Sequence, residues 1–159
     1  MSFEVEVKLE ENITDKLSEL QKNLGDLTPV FNQIGHTLID IVEENFESES
    51  FLGKPWTPLK DSTKKQKAKK GYKKTLQNRG HLAESIDFEA SKNKLVLGTN
   101  VEYAAIHQFG GLAGKNHSAK IPAREFLPIV KEGDDYIYPK AVEEEIDIIL
   151  ENFLRKLDE

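Results

Sequence analysis

The spacing of apolar residues along the chain predicts one strand and three amphipathic helices. Near the N-terminus Phe3, Val5, Val7 and Leu9 alternate with polar residues, which is the period-two pattern of a half-buried strand. Three later segments carry apolar residues three or four positions apart, the spacing of one helix face. These segments cover residues 12–24, capped by Asn12 and ended by Gly25; 28–46, starting at Thr28-Pro29; and 139–157.

The region from residue 80 to 130 predicts shorter elements. HLAES at 81–85 favours a short helix, and apolar alternation on both sides of the polar turn 91–94 predicts a β-hairpin. VEYAAIHQFGG then predicts a short helix, GLAGKNHSAK a flexible loop, and IPAREFLPIV a return to the core. The whole pattern predicts an α+β fold, in which the N-terminal strand and the hairpin near 85–98 form a small antiparallel sheet packed against several helices.

Residues 47–79 have a different character. Gly53, Pro55 and Pro58 interrupt regular structure, and a run of lysines follows them. We therefore expect 47–79 to form an extended basic arm or long loop, with a short helix starting near Asp61 or Ser62. The 159 residues are of ordinary size for one domain, so the arm is expected to extend from a single domain that spans residues 1–159.

The charge distribution suggests what the arm binds. Residues 60–74 hold eight lysines and one acid, a formal charge of +7, whereas the net charge of the chain is −6, which leaves −13 on the rest. Such an arm suits either nucleic acid or an acidic protein surface, including another copy. The run has no arginine and Tyr72 is its only aromatic residue, which favours a solvated arm or a protein partner over nucleic acid. The candidate docking lysines are Lys64, Lys65, Lys67, Lys69, Lys70, Lys73 and Lys74.

The composition excludes several classes of chemistry. The chain has no cysteine, so disulfides, thiolate metal sites and a cysteine nucleophile are ruled out. The N-terminal residues lack the basic head and apolar stretch of a signal peptide. No segment approaches the roughly 20 apolar residues that span a bilayer. We therefore expect a protein of the cytosol that does not contact a membrane.

Few residues suggest catalysis. The four histidines, His36, His81, His107 and His117, show no metal-ligand spacing, and nucleotide-binding or nucleophile motifs are missing from the sequence. His107 lies in a compact motif, where a structural role at the following Gly110-Gly111 turn competes with a catalytic one. Trp56, between two prolines, is either an exposed interface anchor or a buried residue that holds the arm to the body. We expect no enzyme activity, no cofactor and no small-molecule substrate.

Three sequence segments in the second half of the chain resemble a known family. GHLAESIDF, LVLGTNVEYAAIHQFGG and IPAREFLPI occur in this order, and GKPW at residues 53–56 precedes them. The pattern resembles the phage virion morphogenesis family, the tail-completion and Mu-like G proteins of tailed phages and prophages. The similarity covers most of residues 30–155. Glu125 departs from it, since the family commonly has proline there.

The resemblance implies a non-enzymatic structural protein for virion morphogenesis, acting in tail completion or in head–tail neck assembly through ring-type contacts. Its partners would be other neck, tail or head proteins and further copies of itself, in the virion and, during assembly, in the cytoplasm of the host bacterium. The alternative is a DNA-binding module that uses the lysine-rich segment 60–74. The residues with structural or interface roles would be Trp56, Tyr103, His107, Gln108, Phe109, Gly110, Gly111, Arg124 and Phe126.

Overall fold

The computed structural model describes residues 5–72, 75–76 and 81–159, and six helices lie within these ranges. The predicted helices are confirmed, with bounds within about two residues of those expected from the apolar spacing. They are α1 (Glu11–Leu24), α2 (Thr28–Ser48), α3 (Asp61–Lys69), α4 (His81–Ser85), α5 (Ala104–Phe109) and α6 (Lys140–Leu157).

Eight short strands in the described residues form four separate antiparallel pairs. The pairs are β1 (Ser50–Phe51) with β2 (Lys54–Pro55), β3 (Asp87–Ala90) with β4 (Leu95–Gly98), β5 (Gly111–Ala113) with β6 (Ala119–Ile121), and β7 (Val130–Glu132) with β8 (Asp135–Ile137). The α+β class is therefore confirmed, and β3–β4 is the hairpin expected from the alternating pattern. Each pair joins strands that are neighbours in the sequence.

The chain divides into two compact units. Unit 1 contains the described residues of 41–86 and 99–127, and unit 2 contains residues 5–40, 87–98 and 128–159. Helix α2 begins in unit 2 and ends in unit 1. The single domain spanning 1–159 stays a prediction.

Unit 2 is built on α1, α6 and the first half of α2. Lys16 of α1 forms ion pairs with Asp147 and, at 2.8 Å, with Glu151, both on α6. On α2 the buried Gly35 leaves room for the ring of Phe88 from β3. The buried apolar side chains of unit 2 are Ile13, Leu20, Leu27, Val30, Phe31, Ile34, Leu38, Ile129, Val142, Ile146, Ile149 and Leu150.

Unit 1 has a core of aromatic rings. Phe46 of α2 lies 5.2 Å from Phe126 and 5.7 Å from Trp56, measured between ring centroids. Edge-to-face and tilted arrangements of this kind are the favoured geometries for aromatic pairs. The other buried apolar side chains of unit 1 are Val42, Leu82, Ile86, Val101, Ala104 and Leu127.

The predicted N-terminal strand differs from what the structure shows. Phe3 lies outside the described residues, and residues 5–9 contain one isolated bridge, in which Val7 pairs in parallel with Tyr136. The hairpin β3–β4 is a two-stranded sheet without this segment. Alternation indicates that a segment is extended with one buried face, but it carries no information about which strand lies beside it.

The segment GLAGKNHSAK is a hairpin, so the prediction of a flexible loop is wrong. Its two strands pair Leu112 with Lys120 and Ala113 with Ala119, and a short 3-10 turn at Lys115–His117 joins them. Nine of the eleven residues from Gly111 to Ile121 are exposed. Because these strands are only three residues long and mostly exposed, the alternation that identified β3 and β4 was missing here.

The extended basic arm at 47–79 is not confirmed. Its described residues include the β1–β2 hairpin, the buried Trp56 and the helix α3, whose start at Asp61 matches the prediction. A contact outside the segment holds it to the rest of unit 1, because the Trp56 indole Nε1 donates to the Glu125 carbonyl at 2.8 Å. Proline and glycine correctly predicted that regular secondary structure is interrupted here. A segment without long regular elements can still pack against the rest of the protein.

Candidate functional site

The family-like residues converge on a cluster in unit 1 that we call the motif clamp, defined as residues 56–58, 107–108 and 124–127. Helix α5 presents His107 and Gln108 and ends at Gly110, which has φ of 74° and ψ of 177°. A Cβ atom on Gly110 would lie 2.9 Å from the amide nitrogen of Ala123 and 3.0 Å from the carbonyl oxygen of Ile121. Because both neighbours are main chain, only glycine fits where the chain turns from α5 into β5.

Gln108 joins two of the family-like segments. Its side chain is 2% exposed, and Oε1 accepts hydrogen bonds from the amides of Phe126 at 3.0 Å and Leu127 at 2.9 Å. The main chain adds a further link, because the Arg124 amide donates to the carbonyl of His107 at 2.8 Å. The blocks YAAIHQFGG and IPAREFL are therefore in direct contact in the fold.

Asn45 extends the same network to α2. Its Nδ2 donates to the carbonyl of Phe126 at 3.1 Å, while its Oδ1 accepts from the Leu52 amide at 3.1 Å. The residue is 2% exposed. Sequence reasoning missed Asn45, although a signal was present: it lies three residues after Val42, on the apolar face of α2, where a polar side chain needs a buried partner.

Arg124 and Trp56 attach the segment after β2 to the clamp. Arg124 is buried; its Nε donates to the carbonyl of Thr57 at 2.8 Å and its Nη2 to that of Pro58 at 3.3 Å. The Trp56 indole Nε1 donates to the carbonyl of Glu125 at 2.8 Å. The sequence left open whether Trp56 is an exposed anchor or a buried residue. In the structure Trp56 is buried and fastens its segment to the rest of unit 1.

His107 lies in a cationic environment. Its Nδ1 is buried and, among the described residues, has no hydrogen-bond partner. Burial lowers the pKa of its imidazole, and the charges of Arg124 and Lys67 lower it further, which favours the neutral ring. Among the described residues, no carboxylate is bonded to Nδ1, as the orientation of a catalytic base requires; the ring has an edge-to-face contact with Tyr103, at 5.8 Å between centroids.

The remaining motif residues differ in exposure. Phe126 is fully buried, whereas Tyr103 and Phe109 are 45% and 40% exposed. Much of each of these two rings therefore faces outward. Gly111 follows Gly110 and starts β5.

The basic segment lies beside a cleft of about 450 Å³ next to the clamp. Lys64 and Lys67 line this cleft, together with Glu49 and Tyr72. Burial lowers the pKa of Lys67, and the charge of Arg124 acts in the same direction. Lys65, Lys69 and Lys70 are exposed, whereas Lys73 and Lys74 lie outside the described residues.

The cleft contains no constellation typical of catalysis. Its acid, Glu49, accepts a hydrogen bond from the Thr75 amide at 2.6 Å and is half-buried. Within the described ranges, no group of three or more His, Asp or Glu is placed to hold a metal ion. None of the helices in the described part of the chain is both long and apolar enough to cross a bilayer.

Comparisons with known proteins identify the family of the chain. The family model "Phage virion morphogenesis family" matches residues 9–147. The Mu-like prophage FluMu G protein 2 of Haemophilus influenzae strain Rd is 34% identical over 132 residues, which cover 83% of this chain and 88% of that protein.

A second relative is protein G of Escherichia phage Mu, whose name provisionally assigns it to capsid assembly. It is 27% identical over 143 residues, covering 83% of this chain and 92% of the relative. No solved structure matches the chain. The motif blocks, their direct contact in unit 1 and the family match over most of the sequence lead to one conclusion: the chain belongs to the phage virion morphogenesis family and has a role in virion assembly.

Proposed function

We propose that this chain is a non-enzymatic structural protein that completes the phage tail or the head–tail neck. In this proposal it acts through ring-type contacts between copies and through contacts with neighbouring neck, tail or head proteins. It would be part of the virion, having been assembled in the cytoplasm of the host bacterium. Family membership and the similarity to two Mu-like G proteins support this role.

The main observation behind the proposal is that the motif residues bind main-chain groups of unit 1. Gln108, Arg124 and Trp56 direct their polar atoms to main-chain groups inside unit 1. A catalytic motif instead leaves an acid, base or nucleophile facing a space that a substrate can enter. The motif clamp therefore favours a rigid scaffold that presents surfaces to other proteins.

The charges of the two units support contacts between copies. Among the described residues, unit 1 has 10 Lys and Arg against 8 Asp and Glu, whereas unit 2 has 9 against 19. The formal charges are +2 and −10. A ring needs a heterologous interface, in which one surface meets a different surface on the next copy, and opposite charges on the two units suit such a contact.

A stop codon in the gene, within the phage or prophage that carries it, tests the proposal. After induction we expect electron microscopy to show unjoined heads and tails or incomplete tails, together with loss of infectious particles. Plasmid-borne wild-type protein should restore infectious particles. Normal particles from the stop-codon phage would contradict the proposal.

The His107→Ala variant distinguishes a scaffold role of the protein from an enzymatic role. Replacement of the half-buried imidazole leaves a cavity, so we expect lower stability, and rescue of particles in proportion to the amount of folded protein. A variant that is as stable as the wild type, yet fails to rescue, would favour a catalytic role for His107. His117, which is exposed, provides the matched control as His117→Ala.

The alternative function, DNA binding by the lysine segment, is favoured by the exposed Lys65, Lys69 and Lys70 on and just after α3. Duplex DNA binding would weaken steeply with salt, because each neutralised phosphate releases a counterion. Replacing these three lysines by glutamine would reduce the slope of log K against log salt by about 2.7, at about 0.9 per contact. Equal binding by this variant and the wild type would exclude the segment as a DNA-binding site.

A further inference from the structure

Two exposed aliphatic side chains are the starting point. Ile148 of α6 is 60% exposed and Leu112 of β5 is 58% exposed, the largest values among the exposed large hydrophobic residues of the described chain. Single exposed apolar residues are common on soluble proteins. These two differ from the others in their surroundings: basic residues lie around Leu112, and acidic residues lie around Ile148.

Leu112 lies on a basic hairpin. Lys120 is its cross-strand partner in the β5–β6 register, and paired side chains lie on the same face of an antiparallel ladder, about 5 Å apart. Lys115 is exposed in the turn of the hairpin. From Tyr103 to Arg124 the sequence contains no Asp or Glu. The hairpin thus presents an apolar residue within a positive surface, which we call the hairpin patch: Leu112, Lys115 and Lys120.

Ile148 lies on an acidic helix face. Glu144 and Glu145 precede it by four and three positions and are both exposed. Residues with this spacing are neighbours on a helix surface. Glu151, three positions later, pairs with Lys16 at 2.8 Å and is also exposed. This face, the helix patch of Glu144, Glu145 and Ile148, presents an apolar residue within a negative surface.

We propose that the hairpin patch of one copy binds the helix patch of the next. Leu112 would contact Ile148, while Lys115 and Lys120 would face Glu144 and Glu145. In the proposed ring this contact is heterologous, and each copy binds two neighbours, one through each patch. The inference rests on the proposed ring assembly and gives that assembly its interface.

Crosslinking provides the direct test, because the natural chain has no cysteine. Purified Leu112→Cys and Ile148→Cys variants are mixed and treated with a short bismaleimide. We expect a covalent dimer that joins residues 112 and 148, identified by mass spectrometry and well in excess of both homodimers. Val96→Cys, at an exposed position of β4, replaces Ile148→Cys in the control. Homodimers at equal level, or no product above the control, would overturn the proposal.

Charge substitutions test the two-sided geometry. Leu112→Glu places an acid against an acidic patch, and Ile148→Lys places a base against a basic patch. Each variant alone should self-associate at least about tenfold more weakly than the wild type, the usual scale for loss of an anchor residue. Their mixture should associate more strongly than either variant alone, since the intact hairpin patch of the Ile148→Lys chain can bind the intact helix patch of the Leu112→Glu chain. Unchanged self-association of either variant would contradict the contact.

These outcomes remain distinguishable from those of the proposed function. If crosslinking fails while the stop-codon phage still needs the protein to form particles, this interface is wrong and the assembly role stands. If particles form without the protein, the assembly role is wrong whatever the crosslinking shows. Thermal unfolding of each variant confirms that substitution at these exposed positions leaves the fold intact.

Discussion

At the residue scale, Gln108 shows how a single side chain connects distant parts of the sequence. One carboxamide oxygen accepts hydrogen bonds from two consecutive amides, 18 and 19 residues away, in a position closed to solvent. A buried amide without a partner costs about 1–3 kcal/mol. The segment 126–127 therefore depends on Gln108 for its hydrogen bonds.

We predict that Gln108→Ala lowers the free energy of unfolding by about 2–4 kcal/mol, because two buried amides lose their acceptor. Urea denaturation followed by circular dichroism measures the change. The exposed Gln33 of α2 provides the matched control, and Gln33→Ala should change stability by less than about 0.5 kcal/mol. A similar, small effect of both variants would contradict the prediction.

At the element scale, the contact between α2 and β3 depends on the absence of a side chain. A Cβ atom on Gly35 would lie 2.4 Å from Cδ2 of Phe88. His36 lies beside the same ring, with 4.9 Å between centroids in an edge-to-face arrangement. Glycine in a helix interior costs about 1 kcal/mol relative to alanine, so its presence here is explained by the space that the ring occupies.

Gly35→Ala should therefore destabilise the protein by about 1–3 kcal/mol, the usual cost of overpacking, despite the better helix propensity of alanine. Adding Phe88→Leu should recover part of that loss, because the smaller side chain leaves room for the new methyl group. A double-mutant cycle of unfolding free energies measures this coupling. Additive effects of the two substitutions would contradict the steric explanation.

The N-terminal half of α6 contains a second element-scale feature, a buried acid. Burial raises the pKa of Glu143 to about 7, and the hydrogen bond and charge of Glu10 and the charge of Glu132 contribute. Because its pKa in the folded state is above its ordinary value of 4.5, folding favours the protonated form. Its contribution to stability is present below about pH 4.5 and is lost as the pH rises toward 7.

We predict that Glu143→Gln is more stable than the wild type at pH 8, and that the difference shrinks as the pH falls to 4.5. Thermal unfolding across this pH range measures it. Glu145→Gln removes the same charge from an exposed position of the same helix and should show a smaller, flatter difference. A pH-independent difference for Glu143→Gln would contradict the prediction.

At the scale of the whole molecule, the distribution of charge between the two units is more informative about self-association than the net charge is. The described residues of unit 1 carry a formal charge of +2 and those of unit 2 carry −10, whereas the net charge of the whole chain is −6. Like net charges on two copies repel at long range, whereas opposite patches attract when they meet. Association between copies should therefore depend on orientation and on ionic strength.

We predict that self-association weakens as salt rises from about 0.05 M to about 0.5 M, because the Debye length falls well below the 10 Å found at 0.1 M. Sedimentation equilibrium measures the dissociation constant at each salt concentration. Lys120→Gln should reduce this salt dependence, while Lys22→Gln, exposed on α1, should not. Association that strengthens with salt would point to an apolar interface instead.

Local patterns were sufficient for the helices and for the β3–β4 hairpin, because apolar spacing and turn residues lie within one element. The prediction of a loop at 111–120 was wrong because strands of three mostly exposed residues are too short to show apolar alternation. The extended arm at 47–79 was not confirmed, because glycine and proline indicate a break in regular secondary structure but do not indicate whether the segment packs against the rest of the protein. Asn45 was missed although its place on the apolar face of α2 was visible in the sequence.

The sequence alone determined the secondary structure of the long periodic segments, the family and the uneven charge, since each depends on residues close together in the chain or on their order. Only the tertiary structure decided which amides Gln108 binds, that Trp56 is buried, and that Leu112 and Ile148 face outward among opposite charges. These properties depend on residues brought together across tens of positions. Such contacts are selected by packing of the whole chain, so no local pattern contains them.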